Sequence, residues 1–453
     1  MSEGFDLIVR GGRIVTPSGI DQADLGVKDG RIVLIAPDIP GETAAELAAY
    51  DSYVFPGIID AHVHFNEPGR AEWEGLATGS VALAAGGGTA FFDMPLNSEP
   101  PALDAARLRE KRVVAERKSC VDFGLWGGLV PGNLDRLAGL RDAGAIGLKA
   151  FLCDSGIASF PRVDADSLRA GMERAAKLGM IVAVHAEDQA LLEKYAAMGP
   201  RRGASPVRAF LDSRPPEVEL AAIRMALELA GETRCALHVV HVSCPEGIAL
   251  IAEAKMQGVD VTAETCPHYL LLNEREVAKL GGLAKCAPPL RPEAMRQGLW
   301  AELRAGAIAT IGSDHSPAPP ELKLGKDFSA LWGGIAGCQH GFELLLSEVS
   351  ASAGRDLPMF AAVLARNVAR RFRLEHRKGL LAEGKDADFT LLNYGPAHTI
   401  ETDELWTRHL LSPYVGRRSR ARLTHTYVRG QAVWAEGRPV SPPPPGRFLR
   451  PDL

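Results

Sequence analysis

Residues 56–64 read Pro56-Gly57-Ile58-Ile59-Asp60-Ala61-His62-Val63-His64, an apolar run that ends in two histidines one residue apart. In an extended segment, side chains two positions apart point to the same side, so His62 and His64 offer two imidazoles to one point in space. The stretch therefore predicts a buried strand that presents a pair of metal ligands at its carboxyl end.

Similar apolar runs recur along the chain and alternate with helix-length patterns. The eight strand-like runs are 57–62, 89–94, 122–129, 145–151, 180–185, 236–242, 259–264 and 307–314. Helical patterns between them include 164–178, 216–230, 245–257 and 292–304, several of which open with Pro or Asp. Eight units with strands apolar on both faces favour an α/β fold of the (β/α)8 TIM-barrel type over an open doubly wound sheet. The glycine motifs of the common nucleotide-binding folds are missing at the positions that those folds require.

Both ends of the chain instead contain short runs typical of β-strands. Short β-like pieces occupy 6–10, 13–15, 24–27 and 31–35 near the start, and 388–392, 423–428 and 430–434 near the end. Neither end has enough strands to bury a face alone, so we predict that they join into one small β-sandwich. The expected division is a sandwich of residues 1–56 and 380–453 around a barrel of residues 57–379. The proline run at 441–445 is predicted to be an extended tail or linker.

Composition narrows the classes of function. The 453 residues are 46% hydrophobic and 24% charged, as in a soluble globular protein, and the net charge is only −5. No long Lys/Arg run occurs, which argues against nucleic acid or an anionic membrane as partner and favours a small neutral ligand.

The start of the chain does not resemble a signal peptide and no segment approaches 18 uninterrupted apolar residues, so we expect a cytoplasmic protein. The seven cysteines lack C-x-x-C spacing, which predicts free, mostly buried thiols.

Ionisable residues mark the ends of the predicted barrel strands. In a barrel of this kind the carboxyl ends of the strands converge on one mouth. The residues expected there are His62 and His64 on strand one, Lys149 on strand four, His185 on strand five, His241 on strand six and Asp314 on strand eight. A single strand histidine is more often structural, but the agreement of five strand ends argues for a site. Four imidazoles and a carboxylate suit one or two divalent ions, zinc first, with manganese, cobalt or iron as alternatives.

Strand six carries two histidines. His238 and His241 are three positions apart, so in a regular strand they must face opposite ways. We assign His241 as the ligand because it is nearer the strand end, and we predict that His238 points toward the outer helices. His268 and His315 could line the pocket, but a structural role is at least as compatible with their positions.

Lys149 places one amine inside an apolar strand. An unpaired buried ammonium is costly, so the group should be neutral or modified, and a neutral amine can take up carbon dioxide to form a carbamate able to bridge two cations. A lysine in a salt bridge at the rim is the alternative.

Five motifs together resemble the amidohydrolase superfamily and, within it, the cyclic amidohydrolases: dihydroorotases, hydantoinases and allantoinases. They are residues 56–64, 147–151, 184–187, 241–243 and 313–317. The resemblance implies that His62, His64, carbamylated Lys149, His185, His241 and Asp314 bind two divalent ions. It also implies hydrolysis of a cyclic amide by a metal-activated hydroxide, with Asp314 carrying the proton, and a homotetramer.

The sequences of other loops indicate which cyclic amide is the expected substrate. Dihydroorotases usually follow H-x-H with an arginine that grips the substrate carboxylate, whereas this chain has Asn66 there. The segments 67–75, 94–97, 315–323 and 332–335 are similar to those of allantoinases, which implies a cyclic ureide as substrate and opening of allantoin to allantoate. Hydantoinase or dihydropyrimidinase activity, dihydroorotase activity and an inactive scaffold are the alternatives.

Contacts with the substrate are expected from five residues. The predicted contacts are Asn66, Arg70, Asn97, Ala287 and Ser316. Ala287 departs from the resemblance because a serine is common at that position, and any contact there would use the backbone. The Gly/Pro-rich stretch 317–334 is the best candidate for a mobile lid.

Overall fold

The computed structural model describes residues 4–41, 43–199, 201–325, 327–352 and 354–452. The chain begins with five strands of one sheet. They are β1 (Leu7–Thr16), β2 (Gly19–Lys28), β3 (Arg31–Ala36), β4 (Glu46–Ala48) and β5 (Tyr53–Pro56). β1 pairs antiparallel with β2 and parallel with β4 and β5, and β2 pairs with β3. The chain then passes directly from β5 into the barrel at Gly57, where a Cβ atom would meet Thr89 Oγ1 at 2.2 Å. Only glycine allows this close approach.

The barrel strands are parallel to their neighbours. They are β6 (Ile58–Val63), β7 (Gly88–Asp93), β8 (Asp122–Leu125), β9 (Gly127–Gly128), β10 (Leu148–Phe151), β11 (Val182–His185), β12 (Leu237–Val239), β13 (Val261–Thr265) and β14 (Thr310–Ile311). β6, β7 and β8 form one hydrogen-bonded set, and β9 to β14 form the other. β8 and β9 are two pieces of the third barrel strand, separated by Trp126. The barrel closes where His64 N donates to His315 O at 2.7 Å. The predicted eight-stranded barrel is confirmed.

Helices follow most barrel strands. They are α1 (Leu76–Ala85), α2 (Ala105–Lys118), α3 (Leu137–Asp142), α4 (Ala165–Lys177), α5 (Gln189–Met198), α6 (Pro206–Asp212), α7 (Pro216–Thr233), α8 (Pro245–Met256), α9 (Pro267–Leu271), α10 (Glu274–Leu280), α11 (Glu293–Arg304), α12 (Pro320–Lys323), α13 (Gly341–Glu348), α14 (Leu357–Ala361) and α15 (Asn367–Arg371). The side chains of Asp104 and Asp164 accept from backbone N–H groups in the first turns of α2 and α4, which satisfies donors that the helix leaves free. The four predicted helices agree with α4, α7, α8 and α11. No helix of the described ranges is long and apolar enough to cross a membrane.

The barrel is filled where its strands begin. Trp126, Ile146 and Ile181 belong to a buried cluster that also includes Phe372 and Leu374, which come after α15. Phe372 packs edge-on against the rings of Trp126 and Phe92. This end of the barrel is therefore a packed core, and only the opposite end, where the strands finish, can hold a site.

Four strands near the end of the chain complete the outer sheet. They are β15 (Phe389–Thr399), β16 (Arg418–Val428), β17 (Gln431–Ala435) and β18 (Arg438–Pro439). Among the described residues the sheet order is β18-β17-β16-β15-β5-β1-β2-β3, so β5 and β15 join the two ends of the chain. Leu25, Val54 and Leu391 share a separate buried cluster. A sandwich domain built from both termini, as predicted, is confirmed.

The last residues return to the barrel. Phe123 N donates to Arg447 O at 3.0 Å and Leu449 N donates to Phe123 O at 2.7 Å, so this segment lies along β8. Leu449 is buried in the cluster that fills the barrel. The segment 446–452, which the predicted sandwich boundary of 380–453 includes, therefore contacts the barrel, and the proline run at 441–445 leads into it. A proline-rich run carries no signal about the contacts of the residues after it.

All seven cysteines are buried and free, as predicted.

Candidate metal centre and cleft

Three of the predicted ligands meet at the mouth of the barrel. Asp314 Oδ1 lies 3.2 Å from His62 Nε2 and 3.3 Å from His64 Nε2. The two imidazole rings lie with their centroids 5.5 Å apart. Burial alone would raise the pKa of Asp314, but its interactions with His62, His64 and His241 outweigh burial and hold this pKa well below its usual value. One carboxylate and two imidazoles thus share a small volume, with Nδ1 of His64 buried and without a hydrogen-bond partner in the described residues.

A second pair of imidazoles adjoins the first. His185 Nδ1 and His241 Nε2 face each other at 3.0 Å, and the ring of His241 lies 5.4 Å from that of His62. His185 Nε2 donates to Glu187 Oε2 at 2.8 Å, and Arg214 holds the same oxygen at 2.6 Å. Burial alone would raise the pKa of Glu187, but Arg214 and His185 lower it to about 2. With the proton of His185 on Nε2, its Nδ1 lone pair faces His241, and this contact requires a proton or a cation between the two nitrogens.

Lys149 is buried beside these rings. Its Nζ has no hydrogen-bond partner in the described residues and lies 5.3 Å from the centroid of Phe151, whose ring stacks on His185 at 4.6 Å. Burial lowers the pKa of Lys149 to about 8, against the raising effect of Asp314 and Glu264. An unpartnered amine, unpartnered imidazole nitrogens and a carboxylate in one buried pocket form a donor set that fits divalent cations.

Glu264 supports the cluster from inside the barrel. Its Oε1 lies 2.8 Å from His62 Nδ1, and its Oε2 lies 3.4 Å from His238 Nε2. His238 also contacts Thr262 Oγ1 at 2.8 Å and packs against Phe372. His238 is therefore inside the barrel, and the prediction that it points to the outer helices was wrong.

Backbone geometry explains that error. β12 ends at Val239, and His241 lies beyond it with φ of 42°, in the left-handed region. Strand parity does not continue through such a turn, so His238 and His241 both face inward. Asp314 likewise lies beyond β14, with φ of 45°. Non-glycine residues in this region are uncommon and concentrate at functional sites.

The cluster forms the floor of a cleft of about 1140 Å³. Its walls include Phe151 and Cys153 at the end of β10 and beyond it, Phe210 and Arg214 near α6, and Trp332. The cleft is thus enclosed by loops at the carboxyl ends of the barrel strands, and it is large enough for a small ring compound.

The predicted substrate contacts fall into two groups. Asn97, Ala287 and Ser316 line the cleft, whereas Asn66 and Arg70 are not among its lining residues. Asn66 is buried, with both amide atoms unpartnered in the described part of the chain, and Arg70 lies over the ring of Trp73. Their contact with a substrate stays a prediction.

The two histidines left open by the sequence are also outside the cleft lining. His315 Nδ1 accepts from Gly337 N at 3.1 Å, and its Nε2 lies 3.4 Å from Glu74, so it fastens loops together. His268 is fully buried, neither ring nitrogen is hydrogen-bonded to a described residue, and burial lowers its pKa to about 4.

Sequence reasoning missed the supporting residues Glu187, Glu264 and Arg214. Glu187 comes two residues after His185, which could have suggested it, but nothing adjacent in sequence connects Glu264 with His62.

Cys153, His185 and Glu187 also form a second group of potential metal ligands, with ligand atoms within 4.8 Å of one another.

Comparisons with known proteins agree with this geometry. A model of the amidohydrolase family matches residues 53–433. Proteins named allantoinase from Deinococcus radiodurans and Solibacter usitatus are 48% and 47% identical to the chain, over 99% and 98% of its length and 99% and 97% of theirs. The solved L-hydantoinase (dihydropyrimidinase) from Arthrobacter aurescens has a TM-score of 0.94 at 32% identity, covering 98% of this chain and 100% of that one. A dihydropyrimidinase from Brevibacillus agri has a TM-score of 0.89 at 29% identity, covering 98% of each chain.

Proposed function

The chain belongs to the amidohydrolase family, and on that basis we propose that it is a metal-dependent hydrolase that opens the hydantoin ring of allantoin to give allantoate. The observation that carries this proposal is the full-length identity of 47–48% with proteins named allantoinase, combined with the buried cluster of donors at the cleft floor.

The proposed ligands are those that the sequence predicted. His62, His64, His185, His241, Asp314 and a carbamate on Lys149 would hold two divalent ions, zinc in the first place and manganese, cobalt or iron otherwise. When bound, such ions lower the pKa of an attacking water and polarise the carbonyl group under attack.

The carbamate is proposed from the position of Lys149. Its neutral amine would form a nitrogen–carbon bond to carbon dioxide and lose one proton to solvent, which replaces an uncharged amine with an anionic oxygen pair. The absence of a hydrogen-bond partner for Nζ in the described residues and the nearby imidazoles support this modification.

Asp314 is the proposed proton carrier. Its carboxylate lies 3.2 and 3.3 Å from His62 and His64 at the cleft floor, where it could accept a proton from the attacking water and return it to the ring nitrogen as the carbon–nitrogen bond breaks. The water oxygen stays on the carbonyl carbon, and the second proton leaves when the new carboxylic acid ionises. Asn97, Ser316 and the backbone at Ala287 line the cleft and would orient the ring.

The deciding experiment compares turnover of allantoin, hydantoin, dihydrouracil and dihydroorotate by the metal-loaded enzyme. We expect allantoin to have the highest kcat/KM and the product to be allantoate. The similarity to solved hydantoinase and dihydropyrimidinase structures makes those activities the second candidate. Negligible turnover of allantoin beside efficient turnover of hydantoin or dihydrouracil would overturn the allantoinase assignment within the same family.

A homotetramer and a cytoplasmic location are also proposals, made from the sequence. Light scattering of the purified protein tests the first, and fractionation of the source cells tests the second.

A further inference from the structure

Two buried lysines support one wall of the cleft, and Lys285 is also among the residues that line it. Lys285 and Lys323 have only 6% and 4% of their surface exposed. Lys285 Nζ donates to Phe328 O at 2.8 Å, to Ser329 O at 3.1 Å and to Leu331 O at 2.6 Å. An ammonium group has three donors, and this one directs all three at a single short segment.

Lys323 continues the pattern. Its Nζ donates to Trp332 O at 3.0 Å and to Gly334 O at 2.5 Å. The two lysines together satisfy five backbone carbonyls between Phe328 and Gly334. We refer to Phe328–Gly334 as the carbonyl wall. Apart from one 3-10 turn at Phe328–Ala330, the carbonyl wall has no helix or strand to satisfy its backbone.

The carbonyl wall faces the proposed substrate. Ser329, Leu331 and Trp332 line the cleft, and Trp332 Nε1 lies 3.4 Å from the hydroxyl of Ser316. The ring of Trp332 also packs edge-on against Trp73, with centroids 4.9 Å apart. A shift of the carbonyl wall would therefore move both an aromatic surface of the cleft and a residue proposed to orient the ring.

Lys285 also connects the carbonyl wall with α6. Its Nζ lies 5.2 Å from the ring of Phe210 in α6, which lines the cleft, and 5.1 Å from the ring of Phe328. Both distances are within the range of a cation–π contact. The two rings also pack edge-on against each other with centroids 5.6 Å apart, so one ammonium and one aromatic pair join the carbonyl wall to its neighbouring helix.

We propose that Lys285 and Lys323 are positioning residues that hold the carbonyl wall in the conformation that binds the ring substrate. Neither lysine touches the metal cluster in this arrangement; each acts through the backbone that it holds. The identity of the substrate in this proposal depends on the proposed function. The contacts of the two lysines with the backbone do not depend on it. The proposed role also modifies the expectation of a mobile lid, because Lys285, which lies outside the stretch 317–334, holds three carbonyls of that stretch, while Lys323 within the stretch holds two more.

The test uses the metal-loaded, full-length enzyme and the variants Lys285→Met and Lys323→Met. Removing a cation from several carbonyls should let the carbonyl wall shift and weaken its contacts with the bound ring, and each tenfold loss of affinity corresponds to about 1.4 kcal/mol. We expect KM to rise at least about tenfold, kcat to fall much less, and bound metal to stay constant. Lys285→Arg keeps the charge and several donors and should recover part of the loss. Lys279→Met, on the exposed face of α10, is the matched control.

Chymotrypsin provides a readout that does not require activity, because Phe328, Leu331 and Trp332 are cleavage sites within the carbonyl wall. Both variants should be cleaved there faster than the wild type and the control. Wild-type KM together with wild-type resistance in both methionine variants would overturn the proposal. If one variant fails to fold, the other and Lys323→Gln decide it by the same two measurements. If allantoin is not the substrate, KM and kcat are measured with the compound that the four-substrate comparison identifies. A wrong substrate assignment and a wrong role for the two lysines can therefore be told apart.

Discussion

His62 Nδ1 lies 2.8 Å from Glu264 Oε1, while the Nε2 of the same ring lies 3.2 Å from Asp314. Burial alone would raise the pKa of Glu264, but the hydrogen bonds with His238 and His62 outweigh it and lower the pKa to about 2. The carboxylate is therefore ionised at neutral pH, and the hydrogen in the contact belongs to His62 Nδ1. This leaves the Nε2 lone pair directed toward the cluster, which is the tautomer that a metal ligand requires.

Glu264→Gln should weaken metal binding. The amide keeps the size of the side chain but removes the charge that fixes the His62 tautomer, and loss of such a partner typically costs about 10–100-fold in metal affinity. Competition of the purified variant with a chromogenic chelator measures this directly. Glu253→Gln on the exposed side of α8 is the control. Unchanged affinity in Glu264→Gln would show that the carboxylate does not set the tautomer.

Much of this architecture could be predicted from the sequence. Apolar runs fix which segments become barrel strands, because strands buried on both faces need uninterrupted hydrophobic residues. Asp104 and Asp164 show how helix starts can be read from capping residues. The chain ends could be assigned to one sheet because short strands cannot bury a face alone.

The remainder depends on contacts between distant residues. The parity rule placed His238 wrongly because it assumes a regular strand up to His241, and a left-handed residue is not visible in the sequence. Glu264 is 202 residues from His62, so only the closed barrel brings the two together.

Lys149→Ala should lose most of the bound metal and activity. The alanine variant cannot form a carbamate, and it also leaves a buried space next to His185. Short carboxylic acids such as acetate or propionate could supply the missing oxygen pair, so partial chemical rescue is expected. Elemental analysis and kcat with and without added acid are the measurements. Full metal content and full turnover without any acid would eliminate the carbamate.

His268 should make the fold sensitive to mild acid. Burial lowers its pKa from the ordinary value of 6.5 to about 4, so between these values the unfolded chain binds a proton that the folded protein does not. By linkage, the free energy of unfolding falls as the pH decreases from about 6.5 to 4, by up to about 3 kcal/mol for this residue alone. At neutral pH the imidazole is neutral in both states, and the effect disappears.

His268→Leu removes this titration. Relative to the wild type, the variant should gain stability progressively as the pH falls from about 6.5 toward 4, whatever its stability at neutral pH. Denaturant unfolding of the metal-free proteins at several pH values gives the difference between the two. Parallel stability curves for wild type and variant over this interval would refute the assignment.

Lys378 joins the two domains through a buried cluster of charges. Its Nζ lies 2.6 Å from Asp122 at the start of β8, 2.6 Å from Asp388 just before β15, and 3.0 Å from Asp386. Arg429 also contacts Asp122. These acidic groups could look like a metal site, but the lysine ammonium already lies among them. The attraction of the three carboxylates outweighs burial and raises the pKa of Lys378. Its stabilising contribution is therefore fully present at neutral pH and is lost only above about pH 10.5.

Lys378→Met should destabilise the protein at neutral pH by about 3–5 kcal/mol, because removing one partner leaves buried carboxylates uncompensated. Burial already raises the pKa of Asp388, and without the ammonium that opposes this effect the carboxyl should bind a proton in the folded state at a higher pH than in the unfolded chain. The difference in the free energy of unfolding between wild type and variant should therefore become smaller as the pH is lowered from about 7.5 to 5. A variant that was merely more sensitive to acid would show a larger difference instead. Thermal unfolding at the two pH values measures it, with Lys255→Met on the exposed face of α8 as the control. A deficit that stays constant or grows on acidification would mean that Lys378 acts through packing and not through its charge.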